Sequence, residues 1–242
     1  MLSPDLGPSS RAYAARAGQP RVRGAGATAY YDYFGERAGP RSLGYYRTTS
    51  LYVDTAALDV LNRRGSFGRA KLRVRRYGAA DVVFLERKLR TRRQLVKRRT
   101  AVGVADLGRL QAAMAGDWAG GWFQRRLSAR WLEPACQVGY TRTARLLESA
   151  RGPARLTIDA DIRASLADRF AFADEPGLAV PTDLAIVEMK YSGAAPALFR
   201  QCVEAFALGP ALVSKYRLAM GRLGRTEIGA PPDQEIDEPL CA

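Results

Sequence analysis

Histidine is absent from this 242-residue chain, and lysine is scarce: of 38 Lys plus Arg residues only five are lysine, at positions 71, 88, 97, 190 and 215. Without histidine there is no imidazole base, no Ser-His-Asp triad and no HExxH zinc site. There are three cysteines, Cys136, Cys202 and Cys241, far apart and with no CxxC pair. Neither a zinc ribbon nor a disulfide framework follows from that spacing. Cys136 and Cys202 read instead as small buried apolar residues in a reducing compartment. No apolar run reaches the roughly 18 residues of a membrane span, and the N-terminus lacks the apolar core of a secretory signal. These absences predict a cytoplasmic protein with no transmembrane segment.

What is present is charge and enough apolar material for a core. Hydrophobic residues make up 47% of the chain, which excludes wholesale disorder. The formal net charge is +14 and the pI about 10.2, so the partner is an anion. Arginine is the default base here. The few lysines fall in predicted strands or in the short segment Ser214-Lys215-Tyr216. Lysine is a compact point charge on a flexible stem, whereas arginine is a planar fork.

Residues 1–44 are rich in Gly, Ala, Pro, Ser and Arg, without sustained period, and read as poorly ordered or divergent, with 29–34 as a docking piece. The globular domain is expected over 45–225, followed by a disordered acidic tail, 226–242. Strands are predicted at 48–54, 69–77, 81–89, 94–100, 135–145, 154–163 and 185–191, with a hairpin turn at Gly78–Asp81. Helices are predicted at 56–63, 107–115, 121–131, 196–208 and 214–223.

The strands alternate in an unusual way. Arg69, Lys71, Arg73, Arg75 and Tyr77 share one face while Ala70, Leu72 and Val74 share the other. Glu86 with Lys88, Tyr140 with Arg142, and Glu188 with Lys190 repeat the pattern. Same-face neighbours along a strand lie about 6–7 Å apart, so adjacent strands build a lattice of cations. Three readings follow: a solvated basic face, an open basic sheet for nucleic acid, or a barrel with its charges turned inward around a polyanion.

The segments SLYVDT (50–55), RAKLRVRRYG (69–78), FLERK (84–88), VKRR (96–99), GYTRTA (139–144), ARLTID (154–159), VEMK (187–190) and SKYRLA (214–219) occur in this order. Together they resemble the VTC domain, the polyphosphate polymerase domain of the vacuolar transporter chaperone family within the triphosphate tunnel metalloenzymes. The resemblance implies an α+β fold, an antiparallel β-barrel tunnel with helices packed outside. It implies transfer of the terminal phosphoryl of ATP or another nucleoside triphosphate onto inorganic polyphosphate, with Mn²⁺ or Mg²⁺. By the same resemblance, Arg73 and Arg75 are the paired phosphate-binding arginines, Lys88 and Lys97 the next tunnel lysines, Arg142 and Arg155 further catalytic arginines, and Glu188 the metal ligand. Lys71, Tyr140, Lys190, Ser214 and Lys215 are expected to bind substrate. A separate membrane partner is compatible with this reading, and nucleic acid is not the expected ligand. The family's opening strand, with alternating acids and a lysine, has no counterpart in 1–44, which contains no lysine. A catalytically impaired module that binds polyphosphate or triphosphate is therefore the alternative.

Other residues have plainer expectations. Glu86 is either a metal ligand or a partner for a neighbouring arginine. Asp159 and Asp161 read as salt-bridging carboxylates, and Trp118, Trp122 and Trp131 as packing for the outer helices.

Overall fold

The computed structural model describes residues 9–16, 42–91, 94–113, 116–149, 152–174, 177–180 and 184–225. The strands in chain order are β1 (Ser9–Arg16), β2 (Ser42–Asp54), β3 (Ala70–Tyr77), β4 (Val82–Arg90), β5 (Leu95–Gly103), β6 (Glu133–Ser149), β7 (Gly152–Leu166), β8 (Leu178–Ala179), β9 (Leu184–Tyr191) and β10 (Gly209–Pro210). The helices are α1 (Gly121–Ser128), α2 (Ala197–Ala205) and α3 (Lys215–Arg222), with 3₁₀ turns at Gly65–Arg69 and Val104–Leu110. All pairings are antiparallel, and the sheet runs β10-β1-β9-β7-β6-β2-β3-β4-β5, with β8 attached to β7.

The sheet is strongly curled. From β4 to β9 the path takes five strand steps, about 24 Å if the sheet were flat. Lys88 on β4 nevertheless interacts electrostatically with Glu188 and Lys190 on β9. The charged face is therefore the concave, inner one. β5 and β10 are the two ends of the hydrogen-bonded path, and no ladder joins them among the described residues.

The apolar halves of the strands explain where two helices sit. Leu51, Val53, Leu72, Val74, Val83, Leu85 and Val102 form an outer surface covered by Trp122, Phe123 and Leu127 of α1. Leu156, Ile158, Val187 and Met189 form a second outer surface covered by Phe199 and Cys202 of α2. Burying these side chains supplies the main driving force for the layer, at about 1.5–3 kcal/mol per large aliphatic or aromatic residue. Between β3 and β4, Gly78 takes a left-handed conformation with φ +55°. That backbone suits glycine and closes the predicted hairpin.

The third helix departs from expectation. α3 does not pack outside: Tyr216, Ala219 and Met220 cover Tyr52, Cys136, Val138, Tyr140 and Ile186. Register puts Tyr52 opposite Arg73 and Cys136 opposite Tyr52, so this is the inner face. Here the concave side is apolar, and an i, i+3, i+4 stripe from α3 seals it.

Other differences are local. Residues 56–63 form turns rather than a helix, and the predicted helix over 107–115 is replaced by the 3₁₀ turn Val104–Leu110. Trp131 lies beyond the end of α1 at φ +52° and is 84% exposed, so it packs no outer helix. A strand does form near the N-terminus: β1, SSRAYAAR, pairs along its length with β9. The predicted docking piece at 29–34 and the tail 226–242 lie outside the described residues. Cys136 and Cys202 are buried, as expected, and burial pushes both thiols up to about 12, leaving them unreactive.

Candidate functional site

The inner face is organised in cross-strand rows, because residues directly opposite in an antiparallel ladder share a face. In the first row Lys71, Lys88 and Lys97 stand side by side on β3, β4 and β5. In the next, Tyr52, Arg73, Glu86 and Arg99 align, and in the third Ser50, Arg75 and Phe84. On the other limb Arg142 opposes Asp159, Thr157 opposes Glu188, and Arg155 opposes Lys190. Lys215 opens α3, and Ser214 takes the extended N-cap position without a side-chain capping bond. Every site residue expected from the sequence thus belongs to one continuous inner surface or to the end of the helix seated on it. All five lysines of the chain are among them.

The two limbs differ in how their charges are met. Asp159 is a buried hub: Arg142 donates to it in a fork, Nε to Oδ1 at 2.6 Å and Nη2 to Oδ2 at 2.7 Å. Lys215 Nζ reaches Oδ2 at 2.6 Å. Burial alone would raise the Asp159 carboxyl, but Lys215 and Arg142 outweigh it and hold it at about 2. Arg142 is held well above its ordinary value in return: burial opposes its charge, and Asp159 more than compensates. The Tyr140 ring lies between the two cations, 5.4 Å from Arg142 and 4.8 Å from Lys215.

On β3 and β4 the balance is cationic. Glu86 accepts from Arg73 Nε at 2.7 Å and faces Arg99 at 3.4 Å. Burial raises the Glu86 carboxyl, and Arg73, Arg75 and Arg99 overcome this to lower it. Arg75 is buried at 6% exposure, and the Ser50 hydroxyl, at 3.2 Å, is its hydrogen-bonded partner. In the lysine row, burial first and then Lys71, Lys190 and Lys97 lower the affinity of Lys88 for its proton, with Glu188 opposing them. Three ammonium groups in one row repel, and a multiply charged anion relieves that repulsion. Four buried polar atoms of the inner face lack a hydrogen-bond partner among the described residues: Thr48 Oγ1, Tyr140 OH, Arg155 Nε and Thr157 Oγ1. Buried groups of this kind are ordinarily satisfied, so each has hydrogen-bonding capacity left over on this face.

The acids bear on metal binding. Glu188 is bonded to Lys190 at 3.1 Å, and at 28% side-chain exposure it is wetter than Glu86 or Asp159. Burial raises its carboxyl, but Lys190, Arg142 and Lys215 lower it, so it is ionised at neutral pH. No cluster of three or more His, Cys, Asp or Glu gathers among the described residues. On β1 the positions registered opposite Lys190, Glu188 and Ile186 are Ser10, Ala12 and Ala14, none of them acidic. One carboxylate beside a cationic surface fits a hard divalent ion that arrives with a polyanion and retains water, rather than a protein-built cage.

Three contributors escape sequence reading. Tyr52 stacks on Tyr216 at 5.3 Å. Burial raises its phenol, yet Arg73, Arg75 and Lys215 bring the net shift downward. Arg99 lies 3.5 Å over the Phe84 ring. Asp54, buried at the end of β2, accepts from the amides of Thr55, Val60 and Leu61 and from the Tyr216 hydroxyl at 2.6 Å. It thereby ties α3 to the sheet and fixes Lys215. The aspartate ending SLYVD was its one visible signal. By contrast Asp161 leaves the inner face: a register shift and φ +50° turn it aside, and it pairs with Arg163 at 3.2 Å.

Several solved structures align with the chain at low identity. A protein proposed as an adenylate cyclase from Bacillus halodurans aligns with TM-score 0.48 at 12% identity, covering 85% of this chain and 95% of that one. The Hippeastrum protein proposed as an adenylyl cyclase, and described as having a dominant triphosphatase activity, aligns with TM-score 0.47 at 12% identity, covering 91% and 98%. The PH1819 protein of Pyrococcus horikoshii gives 0.46 at 9%, covering 88% and 99%. No curated protein matches the chain. The family model of the VTC domain, however, matches residues 27–223, which take in β2 to β10, all three helices and every inner-face position described above except those of β1. The chain belongs to the VTC domain family.

Proposed function

We propose that this protein is a polyphosphate polymerase-like phosphotransferase whose curled sheet closes into a triphosphate tunnel. The observation that carries the reading is the convergence of all five lysines with Arg73, Arg75, Arg142 and Arg155 on one inner face, where they outnumber the carboxylates Glu86, Asp159 and Glu188. Such a surface requires a dense anion to neutralise it. Phosphoryl transfer asks mainly for positioning and charge neutralisation, and needs neither histidine nor cysteine. Arg73 and Arg75 grip phosphate oxygens, the row of Lys71, Lys88 and Lys97 holds the next phosphates, and Tyr140, Arg155, Lys190, Ser214 and Lys215 line the remaining path.

In the reaction, a terminal oxygen of the acceptor polyphosphate attacks the γ-phosphorus of ATP or another nucleoside triphosphate. A new P–O bond forms, the bond from the γ-phosphorus to the β–γ bridging oxygen breaks, and the nucleoside diphosphate leaves with the electron pair. When bound at Glu188 with the phosphates, Mn²⁺ or Mg²⁺ neutralises charge on the transferring group. ATP as substrate and two buried thiols suit the cytoplasm. No helix among the described residues is long and apolar enough to cross a membrane.

The test is incubation of purified protein with ATP and Mn²⁺ or Mg²⁺, following chain growth by gel and nucleoside diphosphate release. Growth that disappears in Arg73→Ala/Arg75→Ala is expected. A folded protein that neither extends chains nor binds tripolyphosphate overturns the reading. A second reading, a binding module without turnover, is favoured by the ion pairing of Glu86, Asp159 and Glu188 and by the acid-free β1. Tight tripolyphosphate binding with no chain growth under either metal identifies it. Nucleic acid binding as tight as tripolyphosphate binding at moderate salt argues against both.

A further inference from the structure

The outer face of the β4–β5 hairpin carries an arginine cluster that the inner site does not use. Arg87 and Arg98 are directly opposed on this ladder, on the face away from Lys88 and Lys97. Arg126 of α1 completes a trio: burial first, then Arg126 and Arg98, lower the proton affinity of Arg87. Arg87 Nε is buried without a hydrogen-bond partner among the described residues. The Arg98 guanidinium lies over the Trp122 ring, 4.3 Å from its centroid, and the indole is locked by its Nε1–H donating to Thr100 Oγ1 at 2.9 Å. None of the three arginines is in an ion pair among the described residues. Like charges placed opposite each other cost stability. A stacked arginine keeps its N–H edge free and pre-oriented for a planar or tetrahedral oxyanion.

We propose that Arg87, Arg98 and Arg126 form a second phosphate-binding site on the outside of the sheet, taking a stretch of polyphosphate chain too long for the inner face. β5 ends the hydrogen-bonded path, so only the width of one strand separates Lys97 inside from Arg98 outside. Arg90, the last residue of β4, adds a further cation to this hairpin. A flexible chain of phosphates is the anion that follows such a path around an edge. A compact triphosphate occupies one face alone. The identity of the ligand rests on the inner-face reading above, whereas the existence of an outer anion site does not.

The test compares tripolyphosphate with long-chain polyphosphate by calorimetric titration at fixed salt. Arg98 and Arg126 are both exposed, so Arg98→Gln/Arg126→Gln retains the fold, checked by an unchanged melting temperature. Expected is a loss of about tenfold or more in long-chain affinity with tripolyphosphate binding unchanged. Arg126→Glu supplies a carboxylate to the other two arginines and is expected to give at least the same long-chain loss. Long-chain affinity unchanged within twofold in both variants overturns the proposal, and so does an equal or larger loss for duplex DNA of matched charge, which assigns the site to nucleic acid. If tripolyphosphate fails to bind the unaltered protein while the outer variants still weaken long-chain binding, the inner-face reading fails and the outer site stands.

Discussion

The β3–β4–β5 limb and the β6–β7–β9 limb present cations to the same concavity but stand in opposite electrostatic conditions. On the second limb, Arg142 and Lys215 converge on one buried carboxylate, Asp159, which offsets part of their charge within the protein. On the first, Lys71, Lys88 and Lys97 form a row of like charge, and the buried Arg75 has a hydroxyl rather than a carboxylate as its bonded partner. The first limb thus stores repulsion that an anion releases. The second holds α3 and the Tyr140 ring rigidly beside it. One is a receptor and the other a frame, although their residue types look alike.

The comparison is broken most severely at its hub. Asp159→Ala strands two cations in a mostly buried place, and unfolding in urea is expected to show a loss of about 3–5 kcal/mol. A loss below about 1 kcal/mol would show that the second limb is not a frame. On the first limb, Arg73→Ala/Arg75→Ala is expected to leave the fold intact and to weaken tripolyphosphate binding about a hundredfold, or about 2.7 kcal/mol, by titration calorimetry.

Acid and alkali test different groups of the two limbs. Asp159 titrates at about 2 in the folded protein against an ordinary 3.8. Its contribution to stability is fully present above about 3.8 and is lost as pH falls through about 2. Glu86 and Glu188, also lowered, act in the same direction. Lys88 acts with the same sign in a different range: its lowered value means that the unfolded chain holds the proton more tightly, so a penalty on the charged ammonium is relieved and stability grows as pH rises through the lowered value toward the ordinary 10.5. Tripolyphosphate affinity should fall over that same alkaline range. Melting temperature and affinity measured across pH check both, and parallel trends in the two at alkaline pH would contradict the assignment.

The smallest expected effect is the most discriminating. Lys88→Gln removes one member of the repelling row, so the ligand-free protein should gain about 0.2–1 kcal/mol while binding tripolyphosphate less well. A variant both less stable and weaker in binding would mean that Lys88 is held by the protein and not kept for a ligand.

Most of this arrangement was legible from alternation alone. RAKLRVRRY can put its charges on one face only as a strand, and the rows follow once neighbours pair in order. Three things were not legible. Periodicity in SKYRLAM shows that α3 has an apolar stripe but not which side of the sheet the stripe covers; that depends on Cys136, Val138 and Ile186 leaving part of the concave face greasy. The turn at Asp161 breaks the alternation of ARLTIDADIR through a single left-handed residue, which no local composition announces. β1 is specified by its partner: SSRAYAAR has little period of its own, and its register comes from β9. The lysine argument fared better, because in a chain that defaults to arginine each retained lysine was worth locating.

Because every lysine side chain of this protein belongs to the concave surface, amine chemistry on it is spatially selective. Acylating reagents, amine crosslinkers and a lysine-specific protease all find their side-chain targets there and nowhere on the outer layer. Shielding of those amines on adding a ligand is therefore a footprint of that one surface, read directly by mass spectrometry.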